Sequence, residues 1–206
     1  YIIEVQASDL LEQWSQRLNE SFYMDQYFLA PASSFVSLTP IYIDSNMSEW
    51  TNDSAVLMFD IINATALEHR LVIAGSPTLW VVGNGTVVLQ GLPQGMFTIE
   101  WRAVNQSRLE VTPHSRDIWF DSLNPTVAIQ LGLPSLGTLV TEQTPISLPA
   151  ADNGSGLAAV YYRFDNGTGW GNWRNYSGSF NLTEFASIQT VELEAYSIDF
   201  LGHTSS

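Results

Sequence analysis

Alternation of apolar and polar positions is the main signal in this chain. Thr190-Val-Glu-Leu-Glu-Ala-Tyr-Ser-Ile-Asp199 puts Val191, Leu193 and Ala195 on one face and Glu192, Glu194 and Tyr196 on the other, as a strand with one wet side requires. Leu157-Ala-Ala-Val-Tyr-Tyr-Arg-Phe-Asp165 is rich in aromatic and β-branched residues and reads as a second long strand. Further strands are predicted at 35–38, 41–43, 55–61, 70–74, 78–82, 86–89, 97–104, 117–120 and 126–131, with a short run at 178–182. Turn chemistry separates most of them: Asp44-Ser-Asn, Gly75-Ser-Pro, Gly83-Asn-Gly, Leu92-Pro-Gln-Gly95 and Asp165-Asn-Gly-Thr-Gly169. Many short strands at this spacing predict an all-β fold of sandwich type.

The first 34 residues have a different pattern. Tyr1, Ile3 and Val5 share one face of a short predicted strand. Its plainer role is a first strand of the chain's own sandwich; its sharper role is donation to an open sheet edge of the next subunit. From Asp9 to about Phe22 the pattern predicts a helix. Asp9 and Glu12 form a capping-box-like start, and Leu10, Leu11, Trp14, Leu18 and Phe22 fall on one stripe. That stripe is expected to pack on a sandwich or on a neighbouring subunit. Residues 23–34 read as a connection.

Thr98-Ile-Glu-Trp-Arg-Ala103 parallels Thr190-Val-Glu-Leu-Glu-Ala195 at an interval of 92 residues, which fits tandem units of sandwich size. Pro125 forces an extended approach to Thr126 and marks a boundary near Asp121-Ser-Leu-Asn-Pro125. Without a Gly/Ser-rich tether, the two units are expected to abut closely. The expected division is an N-terminal segment 1–34, a first domain 35–120 and a second domain 121–206. The second unit has the layout D-x-G-S-G, Y-Y-R-F-D, W, F-x-L, V-E-L-E-A-Y-S-x-D-x-x-G. This resembles the Ig-like β-sandwich repeats of microbial cell-surface and secreted proteins, over roughly residues 121–206. The resemblance implies two tandem Ig-like sandwiches; it speaks to fold more than to task, because such modules serve as spacers, adhesins, filament subunits and accessory domains.

Composition narrows the function. The net charge of −14 arises from 21 acidic groups against seven arginines, with no lysine. Phosphate backbones and anionic membrane surfaces would be repelled. No apolar run approaches the ~18 residues of a membrane helix. Cysteine is absent, so disulfides and thiolate metal sites are excluded, and the absence of lysine excludes Lys–Asn isopeptide staples. A chain beginning at Tyr1 is expected to be processed or truncated.

Ten of the twelve asparagines stand in N-x-[S/T] sequons: Asn19, Asn46, Asn52, Asn63, Asn84, Asn105, Asn153, Asn166, Asn175 and Asn181. Serine and threonine make up about one residue in six, so chance supplies about two such matches. Ser/Thr-rich turns also create sequons without modification, but the excess points to export and dense N-glycosylation. Secreted animal glycoproteins usually lean on disulfides. N-glycans without cysteine are closer to archaeal surface proteins, which this chain resembles in that respect.

Candidate chemistry is sparse. His69, His114 and His203 are far apart in sequence and fall in predicted solvated turns. There is no G-x-S-x-G elbow and no zinc-type His pair. Asp152, Asp165 and Asp199 flank strand ends and could converge, as glycosidase carboxylates or as ligands for calcium. Their plainer reading is turn formation, since no EF-hand series is present. Trp170, Trp173, Tyr161, Tyr162 and Tyr176 could stack on sugars, although the family resemblance places Trp173 in the core.

These readings lead to one expectation: a non-enzymatic, extracellular, N-glycosylated protein that assembles with copies of itself. The assembly would be a filament joined by N-terminal strand donation, or else a surface layer. Tyr1, Ile3, Val5, Leu10, Leu11, Trp14 and Leu18 are the expected subunit contacts. No residue set is assigned to catalysis or to a metal, and covalent glycans are the expected non-protein groups. The alternative is a carbohydrate-binding or adhesin module of a larger surface protein.

Overall fold

A computed structural model describes residues 2–5, 18–21, 29–106, 108–187 and 190–205. The described chain is all-β with several antiparallel sheets, and its one helical turn is the 3-10 segment Thr183–Phe185. At the N-terminal end, Ile2–Val5 pairs antiparallel with Leu18–Ser21. The helix expected from Asp9 to about Phe22 is therefore corrected over Leu18–Ser21. Asn and Ser are weak helix formers, and cross-strand pairing satisfies the backbone groups that a helix would. Tyr1, residues 6–17 and Phe22 lie outside the described residues.

Between residues 32 and 121, two sheets share one core. One sheet is ordered Thr86–Val88, Val56–Ile62, Ala32–Thr39. The other runs from Tyr42–Ile43 through Glu49–Thr51, His114–Phe120 and Gly95–Asn105 to Ala66–Ile73, whose outer edge takes Ser76–Pro77 and Val81–Gly83. Alternation decides what each strand buries. In Gly95–Asn105 the residues Phe97, Ile99, Trp101, Ala103 and Asn105 point inward, while Thr98, Glu100 and Arg102 stay partly wet. Leu38, Leu57, Phe59, Val87 and Leu89 of the first sheet meet Leu67, Phe97, Ile99, Trp101, Ile118 and Phe120 of the second. Gly85 is required here: at φ +92° its position faces the Phe59 carbonyl, which a Cβ would approach to 2.7 Å.

Beyond residue 121 the strands are shorter. The predicted strand 126–131 divides into two ladders, Thr126–Val127 with Ala150–Ala151 and Gln130–Leu131 with Ile146–Ser147. Ser135–Leu136 and Leu139–Val140 form a hairpin. Leu157–Asp165 is flanked by Arg174–Asn175 and Glu192–Asp199. The run at 178–182 contributes a bridge at Phe180 to Ile146 and then turns into the 3-10 segment. The buried aliphatic set is small: Ile146, Leu148 and Val160. Aromatic packing fills the remainder, with Tyr162 stacked on Phe180 at 4.4 Å and Phe164 edge-on to Phe185 at 5.0 Å.

Candidate functional sites on the turns, the outer faces and the seam

Turn chemistry recurs throughout the described chain. Asp44, Asp152, Asp165 and Asp199 each accept the backbone N–H groups of residues two and four positions on. Each carboxylate thus closes a five-residue loop. At Asp44 the Ser48 N–H, with the indole of Trp50 and the Asn46 N–H, outweighs desolvation and holds the carboxyl below its ordinary range. Asp165 lies at the opposite end of strand Leu157–Asp165 from Asp199, since Leu157 faces Asp199 and Asp165 faces Glu192. Asp152, Asp165 and Asp199 do not all converge, since eight residues of strand, ~26 Å, separate Asp165 from that end; each forms a turn, the plainer of the two readings.

The sequon asparagines lie mostly at such turns. Asn46, Asn63, Asn84, Asn153, Asn175 and Asn181 are exposed, and Asn52 and Asn166 are half-buried. In Asn52, Asn166 and Asn181 the side-chain oxygen accepts both the N–H and the hydroxyl of the Ser or Thr two residues on. That arrangement polarises the amide; in Asn52 the amide nitrogen is itself engaged by the Leu201 carbonyl. Asn105 differs: it is 2% exposed and donates its amide to the Asn63 carbonyl at 3.0 Å. The folded chain has no room for a sugar there. Asn19 is on strand Leu18–Ser21. Of the expected subunit contacts, Ile3 and Val5 sit in strand Ile2–Val5, Val5 opposite Leu18. Tyr1, Leu10, Leu11 and Trp14 lie outside the described residues.

Strand register splits the candidate aromatic platform. Tyr162 faces inward with Phe164, against Tyr176 and Phe180. Tyr161 faces outward and stacks on Tyr196 at 5.2 Å, with Trp173 edge-on to Tyr196 at 4.6 Å. The core placement of Trp173 is therefore corrected; it is 39% exposed, and Trp170 is 42% exposed. Both indoles lie against the Arg163 guanidinium, at 4.4 and 4.9 Å, while Arg163 pairs with Glu194.

The first region carries the same device. Arg70–Glu100 and Arg102–Glu68 are cross-strand pairs on the outer face, and Trp80 covers both guanidiniums at 4.6 and 4.2 Å. Arg102 and Glu194, which align in the 92-residue sequence echo, each sit in an Arg–Glu pair under tryptophan. Sequence reading missed this, although alternating charge within a strand was a usable signal.

His114 is exposed, as expected, whereas His69 and His203 are partly covered. His69 lies on the inner face of strand Ala66–Ile73 opposite Trp101, and its Nδ1 has no partner. Burial there disfavours the imidazolium and pushes its pKa down. His114 stacks on Trp101 at 5.5 Å and contacts Glu110 at 2.8 Å. Desolvation pushes the Glu110 carboxyl up, but the hydroxyl and N–H of Ser33, the N–H of Ala103 and His114 together hold it below its ordinary value.

His203 lies at the seam between the two regions. Asp121 receives its place from the first region, where its N–H donates to the Thr51 carbonyl. Its carboxylate, fully buried, accepts the N–H of Ser155 at 2.6 Å, that of Leu123 at 3.1 Å and the Gln94 amide at 3.2 Å. Burial raises this carboxyl, and the donors, led by Ser155, outweigh burial and hold it below 3.8. Gly154 makes the approach feasible, since a Cβ there would meet the Asp121 carboxylate at 2.2 Å. Asp199, also buried, holds His203 Nδ1 at 2.6 Å. The stacked rings of Tyr42 and Phe200, 4.2 Å apart, and the Asn52 amide on the Leu201 carbonyl complete the seam.

No family model matches this chain, and none of the curated proteins compared with it shows significant similarity.

Proposed function

We propose that this chain is an extracellular, N-glycosylated structural protein, non-enzymatic, built from two Ig-like sandwiches and working by assembly with its own copies. The observation that carries this reading is the placement of the sequons. Six of the asparagines stand exposed at turns or strand edges around both regions, where a glycan projects into solvent without displacing the fold. An export pathway that glycosylates asparagine implies an environment outside the cytoplasm, and archaeal surface proteins remain the class that this cysteine-free composition resembles.

Self-assembly is favoured by exposed apolar surface on a strongly acidic chain. The outer face of the three-stranded sheet presents Val36, Met58, Ile62 and Val88, all half or more exposed, around the exposed Asp60, and a second copy can cover this apolar surface. Strand donation by Tyr1, Ile3 and Val5 to a neighbouring sheet edge is the joining step of this proposal, with filaments preferred over a layer. Burial against neighbours would stabilise each subunit in place of disulfides.

Glycopeptide mass spectrometry and electron microscopy of the native protein test the reading together. Glycans are expected at Asn46, Asn63, Asn84, Asn153, Asn175 and Asn181, with Asn105 bare, and the particles are expected to be polymers that disappear on deletion of residues 1–6. Unmodified asparagines at the exposed sites reject the proposal; normal polymers from the deleted chain reject strand donation. The alternative, a carbohydrate-binding or adhesin module, draws on the half-exposed Trp170 and Trp173 beside Tyr161 and Tyr196. It requires a monomer with saturable glycan binding lost on Trp170→Ala.

A further inference from the structure

The seam contains a group of side chains whose chemistry the turns alone do not explain. Asp121, Asp199 and His203 each offer a ligand atom within 4.8 Å of the other two, and among the described residues this is the one such group. The two carboxylates come from different regions, and both are fully buried. Two buried anions this close repel each other in a medium that screens poorly, so a positive charge between them is strongly favoured.

A second observation points to a bound ligand. Ser155 is 5% exposed, and its hydroxyl has no hydrogen-bond partner. That hydroxyl lies beside the Asp121 carboxylate, whose Oδ2 is already occupied by the Ser155 N–H. A buried hydroxyl oxygen with nothing to bind is costly unless another group uses it. Asp152 in the same loop also keeps one carboxylate oxygen buried and unpartnered.

We propose that Asp121, Asp199 and His203, with the Ser155 hydroxyl as a further oxygen donor, bind one divalent first-row transition ion at the seam. The donor set decides the class of ion. Two carboxylate oxygens, one imidazole nitrogen and one hydroxyl suit Mn²⁺ or Zn²⁺, whereas calcium prefers oxygen alone. The loops that supply the ligands are preorganised: Asp199 is clamped by the N–H groups of Leu201 and His203, and Asp121 by those of Leu123 and Ser155. The ion would tie Asp121 at the end of the first region to Asp199 and His203 of the second.

The full chain, stripped with chelator and dialysed, is titrated with Mn²⁺ and Zn²⁺ by calorimetry, and Co²⁺ serves as an absorbance probe for nitrogen ligation. One ion per chain, a rise in melting temperature and a Co²⁺ visible band are expected. His203→Ala is expected to weaken binding at least tenfold and remove the band's nitrogen signature. Ser155→Ala keeps the backbone donor to Asp121 and is expected to weaken binding about threefold. Asp165→Asn, altering the same type of turn at the far end of the strand, is expected to leave binding unchanged. Circular dichroism confirms that each variant is folded. Absence of saturable binding by either ion, or equal binding in folded His203→Ala, overturns the proposal.

Discussion

Leu57 in the first region and Leu148 in the second are equally buried, at 0% and 1% exposure, yet they sit in different interiors. Leu57 is enclosed by two sheets, among Phe59, Val87, Phe97, Ile99 and Phe120. Leu148 borders an open cleft lined by Ala150, Leu157, Ala159, Asn175 and Gly178. The first region uses long strands whose inward positions are mostly apolar, with Ser33, Thr51, Asn105 and His69 among the exceptions. The second uses two-residue ladders and a cluster of rings, while Leu133, Leu136 and Leu139 remain 70% or more exposed. Equal burial of a side chain therefore does not imply equal closure around it.

Making the same deletion in both places is the strongest test of that contrast. Removing a buried leucine costs about 2–5 kcal/mol, and the value depends on how far the surroundings collapse. Leu57→Ala is expected at the upper end, about 4–5 kcal/mol, because paired sheets cannot close on the cavity. Leu148→Ala is expected at about 2–3 kcal/mol, since the neighbouring cleft already admits water and lets the loop relax. Urea denaturation of the two variants measures both. Equal losses would mean that the second region is as tightly closed as the first, and the contrast would fail.

What could be read from the sequence follows the same division. Strand Leu157–Asp165 was legible to its ends, because its aromatic run is bounded by Gly156 and by the Asp165 turn. Gly95–Asn105 was legible because its alternation is unbroken over Phe97, Ile99, Trp101 and Ala103. The ladders at 135–136, 139–140, 146–147 and 150–151 were not, since two residues are too few to show a period. The helix expected over Leu18–Ser21 failed because spacing on a short segment cannot foresee a partner strand. Turn aspartates were legible one by one. The meeting of Asp121 with Ser155, Asp199 and His203 was not, because it depends on how two regions dock and on Gly154 leaving space for a carboxylate.

The tryptophan lids compare the outer faces. Trp80 covers two guanidiniums of adjacent cross-strand pairs, whereas Trp170 and Trp173 share the single guanidinium of Arg163. Cation–π contacts at exposed sites contribute about 0.5–1 kcal/mol each. Trp80→Ala, which removes two contacts, is expected to cost about 1–2 kcal/mol. Trp173→Ala is expected to cost about 0.5–1 kcal/mol because Trp170 still covers Arg163. Thermal denaturation ranks them, and a larger loss at Trp173 would show that its edge contact with Tyr196 outweighs its lid role.

The smallest expected effect concerns acid, and it separates the interiors by their polar content. The first core contains an imidazole, His69, set between Trp101 and Val81 on the neighbouring strands, with no carboxylate opposite it in either register. Desolvation lowers its pKa below 6.5 in the folded chain. The unfolded chain therefore binds a proton at His69 before the folded chain does, and stability falls as pH drops from about 6.5 toward the depressed folded value. Asp121 and Glu110, also depressed, act in a lower window: their stabilisation is intact above the ordinary carboxylate range and is lost as pH falls through their folded values. Urea midpoints at pH 7.5 and 5.0 isolate the histidine, because the depressed carboxylates stay ionised at both. The parent chain is expected to lose stability between these values, and His69→Gln, neutral throughout, to lose less. Identical pH slopes in parent and variant would show that His69 reaches solvent in the folded state, and that the first core is less closed than the burial of Leu57 implies.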